Sequence, residues 1–422
     1  MDAQRNAAAW DVGILDTVHI QNEPIKILNK NFICVMLANF MHCIAHASIN
    51  PFIATYMKYL DTSAQLAGFL IGMFFAVSFA VRPFAGHATT KYNKRKLLII
   101  VFIIGTVANL GYALFHNVPS FVLFRFLSGV QYSFIGSLCM TLAADHLPRL
   151  RLTSGLGVYG VSGAIGSAIA PSVGETILNA GIKYKDDSFG FTLLFLFGSL
   201  ILVLALIPAI ILTPDRKALA DRARIGKWYK NIISIHALPP TIVLFLIMIS
   251  YAIISTYMFE FGKEQGVPNI NIFYLVFAAS LAVSRPISGY ITDRLGIKRI
   301  LYPALAVFAL SMFFIGISST FWMAIIGAIL AAIGFGASQP SLQTMCIQSE
   351  TALRRGVASN TLYVGIDLGF FLGPYLGGLV YAESNYSMVL KTGAIPVILS
   401  MVCLAITFPI YTRRSSELGN EP

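Results

Sequence analysis

The chain has 422 residues, of which 56% are hydrophobic and 12% charged, with a mean hydropathy of +0.73 and a net charge of +11. A soluble domain carries about 25% charged residues and cannot keep so apolar a surface in water. This composition excludes a soluble enzyme, a nucleic-acid-binding protein and a disordered scaffold. We therefore expect an integral membrane protein.

The apolar residues fall into twelve segments that are separated by charges or turn residues. A membrane-spanning helix needs about 20 mainly apolar residues, and each segment is long enough to form one. The segments predict an all-α polytopic membrane protein with helices at residues 32–60, 65–89, 97–116, 120–144, 154–180, 189–212, 237–261, 270–291, 300–318, 321–347, 357–381 and 388–411.

The positions of the 30 lysines and arginines predict how these helices cross the membrane. Most of them lie in the two terminal segments and in every second loop, beginning with the loop between helices two and three. The other loops hold only Lys58, Lys183, Lys185, Lys263 and Lys391. Because cytoplasmic loops carry the excess of basic residues, we predict cytoplasmic termini and a plasma-membrane location, here the bacterial inner membrane. The positive charge then follows from topology and anionic lipid, and it requires no nucleic acid.

The two halves of the chain repeat with an offset of 203 residues. The matching residues are Arg82-Pro83, Gly86, Arg95-Lys96, Gly166, Pro171 and Gly174 in the first half, and Arg285-Pro286, Gly289, Lys298-Arg299, Gly369, Pro374 and Gly377 in the second. One offset held across separate helix pairs indicates a duplication, which is typical of transporters built from two bundles. We predict six-helix bundles at 31–213 and 237–411, a cytoplasmic N-terminal segment 1–30, a cytoplasmic linker 214–236 and a cytoplasmic tail 412–422.

The loop after helix eight carries a motif that points to a family. Residues 289–299 read GYITDRLGIKR, which resembles the signature between helices two and three of the major facilitator superfamily, here in its second-half copy. Arg125 within FRFLSG resembles that family's arginine in helix four, and residues 163–174, GAIGSAIAPSVG, are similar to a motif of its drug:proton antiporters. The resemblance covers residues 31–411. It implies two bundles that move a solute by alternating access, and it implies that Arg125 handles protons or solute.

The first-half copy of this signature departs from the family pattern, because Thr90 replaces the acid and Asn93 replaces the second glycine. In the family, that acid holds the first bundle against the start of helix eleven. The resemblance therefore implies weaker closure of the cytoplasmic side here, with Asp293 alone acting against the start of helix five. The predicted gating residues are Arg82, Gly86, Arg285, Gly289, Asp293 and Arg294.

Asp367 is an acid that the predicted helices place near the middle of the membrane. It lies about eleven residues, or roughly 16 Å, into helix eleven, and its repeat counterpart is Ala164. A charge at this depth costs about 2.5–3.5 kcal/mol on insertion scales, so we predict a function in proton uptake and release. The alternative is a structural acid bonded to a neighbour such as Tyr363. Glu175 and Arg125 are further proton-coupling candidates.

Helix one carries a polar stripe, since Asn39, His42, His46 and Asn50 recur at steps of three and four residues on one face. A polar face toward lipid is expensive, so this face is predicted to line a cavity, with hydrogen-bonded packing as the alternative. The predicted substrate-binding residues are Asn39, His42, His46, Gln131, Tyr132, Tyr251, Ser255, Gln339 and Gln343. Their aromatic character favours an amphipathic solute over a sugar.

The sequence contains no Walker A motif and no soluble domain for ATP hydrolysis, so transport must draw on a gradient. We predict a secondary transporter of a small organic solute. The helix-five motif favours proton-coupled export by antiport, and proton-coupled uptake by symport is the alternative. No HExxH, GxSxG or paired-acid motif in the sequence supports an intramembrane enzyme. A non-transporting receptor or scaffold built on a transporter fold is a remote alternative. The expected partners are the solute, protons and the lipid bilayer, in a monomer without cofactor or metal.

Overall fold

Helices account for nearly all of the described structure. The computed structural model describes residues 26–213 and 231–419, and these ranges contain no strand. The twelve long helices are α1 Lys30–Ile49, α2 Ala64–Lys91, α3 Lys94–Leu114, α4 Val118–Asp145, α5 Leu152–Tyr184, α6 Asp187–Ile211, α7 Leu238–Glu264, α8 Asn271–Leu295, α9 Ile297–Gly316, α10 Phe321–Gln348, α11 Arg355–Glu383 and α12 Ala394–Glu417. The predicted N-terminal segment up to residue 25, the predicted linker over 214–230 and the predicted tail over 420–422 lie outside the described residues.

Polar caps explain where many of these helices begin. The side chains of Asn29, Ser63, Asn93, Asn117 and Asp186 each accept a hydrogen bond from the backbone N–H three residues later, at the starts of α1, α2, α3, α4 and α6. The first turn of a helix leaves N–H groups without partners, and a side-chain oxygen at this position satisfies one of them. The polar residues between the apolar segments therefore also fix the helix starts.

Two predicted helices are interrupted in the structure. Helix one, predicted to be continuous over 32–60, divides into α1, a 3-10 turn at Asn50–Phe52 and a short helix Ile53–Tyr59. Pro51 lies in that turn and has no N–H to continue the helical hydrogen bonds. Helix twelve, predicted at 388–411, begins as a short helix Tyr386–Thr392, turns at Gly393 and continues as α12, so residues 412–417 of the predicted tail are helical.

The helices pack as two bundles of six with the same internal arrangement. In the first bundle, α1 packs on α5 and α6, α2 packs on α4, and α3 packs on α4 and α6. In the second bundle, α7 packs on α11 and α12, α8 packs on α10, and α9 packs on α10 and α12. Each contact thus has a counterpart six helices later, as expected from the repeat. The bundles meet where α5 lies against α8 and where α2 lies against α11, and the repeat also relates these two contacts.

The outer faces of the bundles carry large apolar side chains. On α3, Ile100, Ile103, Val107, Leu110 and Leu114 recur every three or four residues and are all exposed. A continuous apolar stripe of this kind is stable against lipid and unfavourable in water. The twelve helices are also long and apolar enough to span a bilayer. The protein is therefore an integral, multi-pass membrane protein, and the predicted all-α fold with twelve spanning helices is confirmed.

The bundles touch closely at the end of the molecule that carries Lys91, Arg149, Arg294 and Arg355, which we call the basic end. Gly157 permits the backbones of α5 and α8 to touch there, because a Cβ atom at residue 157 would lie 2.5 Å from the backbone carbonyl oxygen of Arg285 on α8. The hydrogen bonds identified between the bundles, within the described residues, all lie from the middle of the helices toward this end. The structure is therefore closed at the basic end.

Candidate functional site

A cavity of about 690 Å³ lies between the two bundles. Helices α1 and α5 form one wall, and α7, α8, α10 and α11 form the other. Polar and aromatic residues of both walls face this space: Asn39, Tyr159, Ser167, Tyr251, Tyr274, Arg285, Gln339, Gln343 and Tyr363. Pockets that hold drug-sized molecules have volumes of about 300–1,000 Å³. The cavity is therefore large enough for a small organic solute.

Arg285 supplies the charge of this cavity. Among the described residues that line it, Arg285 is the only charged one, and it is 8% exposed. Its guanidinium donates at 2.5 Å to the backbone oxygen of Gly160 and at 2.5 Å to Oε1 of Gln339, and its buried Nε has no hydrogen-bond partner. Both acceptors are neutral oxygens. The positive charge of Arg285 is thus uncompensated by any carboxylate of the described cavity wall.

Contacts with neighbouring residues hold the polar and aromatic side chains of both cavity walls in place. The Tyr159 hydroxyl donates to Oδ1 of Asn39 at 3.0 Å, and Nδ2 of Asn39 donates to the Ser162 hydroxyl at 3.1 Å. Tyr251 stacks on Phe335 with a distance of 4.5 Å between ring centroids. These contacts give the cavity fixed aromatic and amide surfaces, which suit an amphipathic solute.

Beside the cavity, Arg82 and Asp367 join the two bundles by an ion pair. Arg82 of α2 donates from Nε and Nη2 to the two carboxylate oxygens of Asp367 on α11, at 2.6 and 3.0 Å. The side chains are 1% and 8% exposed. The remaining Nη1 donates to the backbone oxygen of Ser133 at 3.2 Å, and the guanidinium lies 5.1 Å from the ring centroid of Tyr363, which lines the cavity. Such a two-pronged, charge-assisted contact is strong and directional.

The structure brings together two residues that the sequence analysis assigned to different roles, gating for Arg82 and proton coupling for Asp367. A hydrogen bond adjoins the pair, because Nδ2 of Asn360 on α11 donates to the backbone oxygen of Arg82 at 2.5 Å. Three hydrogen bonds therefore join α2 to α11 at this point. Sequence reasoning missed the pairing, since the two residues lie 285 positions apart and in different bundles.

A second pocket, of about 30 Å³, lies inside the first bundle and has room for about one water molecule. His42, His46 and Gln131 line it, and Nε2 of Gln131 and Nδ1 of His42 are 3.1 Å apart in a hydrogen bond. In this conformation the three residues face the interior of the first bundle, and their binding of substrate stays a prediction. The polar stripe of α1 spans an arc wide enough that Asn39 reaches the large cavity while the two histidines face the interior of their own bundle.

Arg125 of α4 also lies in the interior of the first bundle. It donates to the backbone oxygens of Leu70 and Ile71, at 3.4 and 3.1 Å, and to Oδ1 of Asn50 at 3.4 Å. Its guanidinium lies 4.7 Å from the ring centroid of Phe74. These contacts tie α4 to α2 and to the turn after α1. They correspond to the packing role that an intramembrane arginine can have, and a function of Arg125 in proton coupling stays a prediction.

Three further predicted residues lie outside the linings of both pockets. Tyr132 packs its ring on His46, with centroids 5.0 Å apart. Ser255 on α7 and Glu175 on α5 are exposed. Glu175 follows the cavity-lining Ser172 by three residues, so it continues the same face of α5 away from the basic end.

At the basic end, Asp293 of α8 lies at the start of α5. Its carboxylate accepts hydrogen bonds from the backbone N–H groups of Thr153 and Ser154, at 3.0 and 2.8 Å, and from the Ser154 hydroxyl. The first N–H groups of a helix and its dipole favour a negative charge at this position. At the repeat-related position, the Thr90 hydroxyl bonds to the backbone oxygen of Gly86 at 3.0 Å.

A contact that the sequence analysis did not predict joins the bundles near Thr90. Arg355, at the start of α11, pairs with Asp145, at the end of α4, at 3.3 Å, and Lys94 of α3 binds the same carboxylate. This ion pair holds the basic end closed beside Thr90 in this structure, and the weaker closure implied by Thr90 stays a prediction. Sequence offered no signal for the contact, since charged residues at helix ends are common and their partners depend on docking.

The remaining predicted gating residues also lie between the bundles. A Cβ atom at Gly86 would lie 3.0 Å from the Cβ of Asn360 on α11, so the glycine permits close contact. The guanidinium of Arg294 lies 4.3 Å from the ring centroid of Tyr290, and that of Arg151, from the first bundle, lies 5.1 Å from the same ring. Cation–π contacts thus add to the closure of the basic end.

Comparison with known proteins agrees with this arrangement of two repeated bundles around a central cavity. A model of the Major Facilitator Superfamily matches residues 35–348 and 242–422. The chain belongs to the major facilitator superfamily. This major facilitator protein is 22% identical over 388 residues to Multidrug resistance protein 2 of Bacillus subtilis (strain 168), with 87% of this chain and 93% of that protein covered.

Solved structures of the superfamily share its fold. The human organic anion transporter MFSD10 (TETRAN) is 15% identical with a TM-score of 0.70, and 89% of this chain and 99% of that chain are covered. The transporter FucP in its outward conformation is 11% identical with a TM-score of 0.71, and the coverage is 89% and 98%. As a major facilitator protein, the chain is a transporter and not an enzyme. In the part of the chain that the structure describes, no three His, Cys, Asp or Glu residues are grouped to hold a metal ion.

Proposed function

We propose that this major facilitator protein is a secondary active transporter that exports a small organic solute in exchange for protons. The buried ion pair between Arg82 and Asp367, which joins the bundles beside a cavity of solute size, carries the proposal. Alternating access rocks one bundle against the other, so coupling requires a contact between bundles that the coupling ion can break. A carboxylate paired with an arginine is such a contact, because a proton removes the negative charge.

Protonation of Asp367 has two effects on the interface. It removes the charge that balances Arg82, and it turns one acceptor oxygen into a hydroxyl. A buried arginine without its partner charge is unfavourable, so the protonated pair favours separation of α2 from α11. Separation opens the basic end, where the proton leaves and the solute enters the cavity. Loss of the proton restores the ion pair and closes the basic end behind the solute.

We assign the basic end and both termini to the cytoplasm, because cytoplasmic loops carry the excess of Lys and Arg. The cycle then exchanges an external proton for an internal solute. The name of the Bacillus subtilis relative, Multidrug resistance protein 2, supports export. We further propose a plasma-membrane location, bundles at 31–213 and 237–411, and a monomer, since a single chain encloses the whole cavity.

Transport into liposomes tests this function. Purified protein is reconstituted, the membrane potential is clamped with potassium and valinomycin, and the probes are ethidium, a permanent cation, and naphthalene-2-sulfonate, a permanent anion. Because their charge does not change with pH, a pH gradient does not trap them passively. We expect accumulation when the lumen is acidic, since protons then leave as solute enters. Accumulation with an acidic exterior instead would replace export by proton-coupled uptake.

The variant Asp367→Asn tests the ion pair. It removes the titrating group and keeps the side-chain size, so we expect pH-driven accumulation to fall at least about tenfold while exchange of labelled for unlabelled probe at equal pH continues. Glu383→Gln is the matched control, because Glu383 is exposed at the far end of the same helix. Full pH-driven accumulation by Asp367→Asn would overturn the assigned role of the pair.

A further inference from the structure

The repeat relates two arginines whose surroundings differ in one respect. Arg82 and Arg285 are equivalent across the offset of 203 residues, and so are Asp367 and Ala164. In one half, Arg82 on α2 pairs with Asp367 on α11. In the other half, α8 and α5 meet in the symmetry-related way, but the position of the acid is occupied by Ala164, which lines the large cavity together with Arg285.

The missing acid leaves a cation that nothing in the described cavity wall neutralises. The Arg285 guanidinium meets the backbone oxygen of Gly160, one turn before Ala164 on α5, and the side-chain oxygen of Gln339. Its Nε is buried and has no partner. A guanidinium carries five N–H groups, so these two acceptors leave donors available. Burial of an arginine without a counter-charge is costly, and an anion beside it would relieve that cost.

We propose that Arg285 binds the anionic group of the transported solute, which takes the place that a carboxylate at residue 164 would occupy. The solute class is an organic anion, with a carboxylate or sulfonate attached to an aromatic body. The guanidinium suits the two oxygens of such a group, and Tyr159, Tyr251 and Phe277 of the lining suit the ring. This inference rests on the proposed function, because it names the solute that the cavity carries.

Binding measured in lipid nanodiscs tests the inference without requiring transport. The probes are naphthalene-2-sulfonate, the neutral naphthalene-2-sulfonamide and the cationic (2-naphthylmethyl)trimethylammonium, which share one ring and differ in charge. Isothermal titration calorimetry at neutral pH gives the affinities. We expect the sulfonate to bind at least about tenfold more tightly than the other two. Equal affinities for the three probes would overturn the assignment.

Two pairs of variants locate the binding group. Arg285→Gln should weaken sulfonate binding at least about tenfold and leave the sulfonamide unchanged, whereas Arg285→Lys should retain part of the affinity. Ala164→Asp should weaken sulfonate binding similarly, because the new carboxylate neutralises Arg285 from α5. Ala164→Asn is its control, equal in size and uncharged, and should bind as the unchanged protein does.

The outcomes separate this inference from the proposed function. Unchanged sulfonate affinity in both Arg285→Gln and Ala164→Asp would exclude Arg285 as the anion-binding group, because a misfolded variant would not retain that affinity. Accumulation of ethidium in liposomes with an acidic lumen, without any preference for the sulfonate, would overturn the anion assignment and keep the transporter. Selective sulfonate binding without pH-driven accumulation would keep the anion site and overturn proton coupling.

Discussion

Gly289 lies where α8 crosses the start of α5, and the lack of a side chain permits the two backbones to touch. A Cβ atom at this position would lie 2.7 Å from the carbonyl oxygen of Thr153 and 2.8 Å from the Cα of Ser154. Neither atom is the flexible end of a side chain. A methyl group therefore requires the bundles themselves to move apart.

We predict that Gly289→Ala opens the basic end. Overpacking of a tight contact costs about 1–3 kcal/mol, which lowers the ratio of closed to open molecules by roughly 5- to 150-fold. Double electron–electron resonance between labels at the exposed positions 150 and 295, in a chain without its native cysteines, measures the separation. Gly72→Ala is the control, because no atom lies within 4 Å of the added Cβ there. A distance distribution equal to that of the control would contradict the prediction.

Some features of single residues could be predicted from the sequence, and others could not. The depth of Asp367 in its helix and the equivalence of Arg82 and Arg285 could be read from apolar segment length and the repeat offset. The pairing of Arg82 with Asp367, and the lack of a carboxylate beside Arg285 in the described cavity wall, could not be predicted in this way. Both depend on which helix of one bundle packs against which helix of the other. Repeat-related positions identify candidate functional residues, but the packing of one bundle against the other determines which residues they contact.

At the scale of helices, the start of α5 acts as a binding site for the carboxylate of Asp293. Two backbone N–H groups and one hydroxyl converge on it, so the helix end supplies donors as well as a favourable dipole. The start of α11 is the symmetry-related helix end. It lies against Thr90, whose hydroxyl oxygen is 2.9 Å from where a Cβ atom of Gly356 would be.

We predict opposite effects from two substitutions at these helix ends. Asp293→Asn removes a charge worth up to about 2 kcal/mol and should lower the ratio of closed to open molecules up to roughly thirtyfold. Thr90→Asp places a charge at the start of α11 and should raise that population. The same label pair reports both changes, with Asp187→Asn as control, since Asp187 lies in the first turn of α6 in the same bundle as α5. Unaltered distances in both variants would refute the role of these helix ends.

The sequence pattern predicted where the helices lie better than it predicted what each helix face contacts. Segment length located all twelve spanning helices, and polar caps explain the starts of α1, α2, α3, α4 and α6. The break after α1 follows from Pro51, which the apolar run around it concealed. The polar stripe of α1 correctly indicated a buried face, but a stripe cannot tell whether it faces the interior of one bundle or the space between two. Asn39 and His42 differ in just this respect.

At the scale of the whole molecule, two copies of one bundle meet through two symmetry-related contacts, and small departures from symmetry distinguish their functions. The α2–α11 contact carries the buried ion pair between Arg82 and Asp367, whereas the α5–α8 contact carries an arginine that no carboxylate of the described cavity wall compensates. In the proposed cycle, Asp367 takes up the proton and Arg285 binds the solute. Since both lie in the interface that closes the basic end, either occupant alters the balance between closed and open states.

In the proposed cycle, the Arg82–Asp367 pair closes the basic end and protonation of Asp367 opens it. Double electron–electron resonance between positions 150 and 295, recorded as pH is lowered, tests this most directly. We expect a short distance at alkaline pH, when Asp367 is ionised, and a growing long-distance population as acid protonates it. In Asp367→Asn the long distance should be populated at every pH. A distance distribution that does not change with pH in the unchanged protein, or an Asp367→Asn variant that stays closed, would show that the ion pair does not control closure of the basic end.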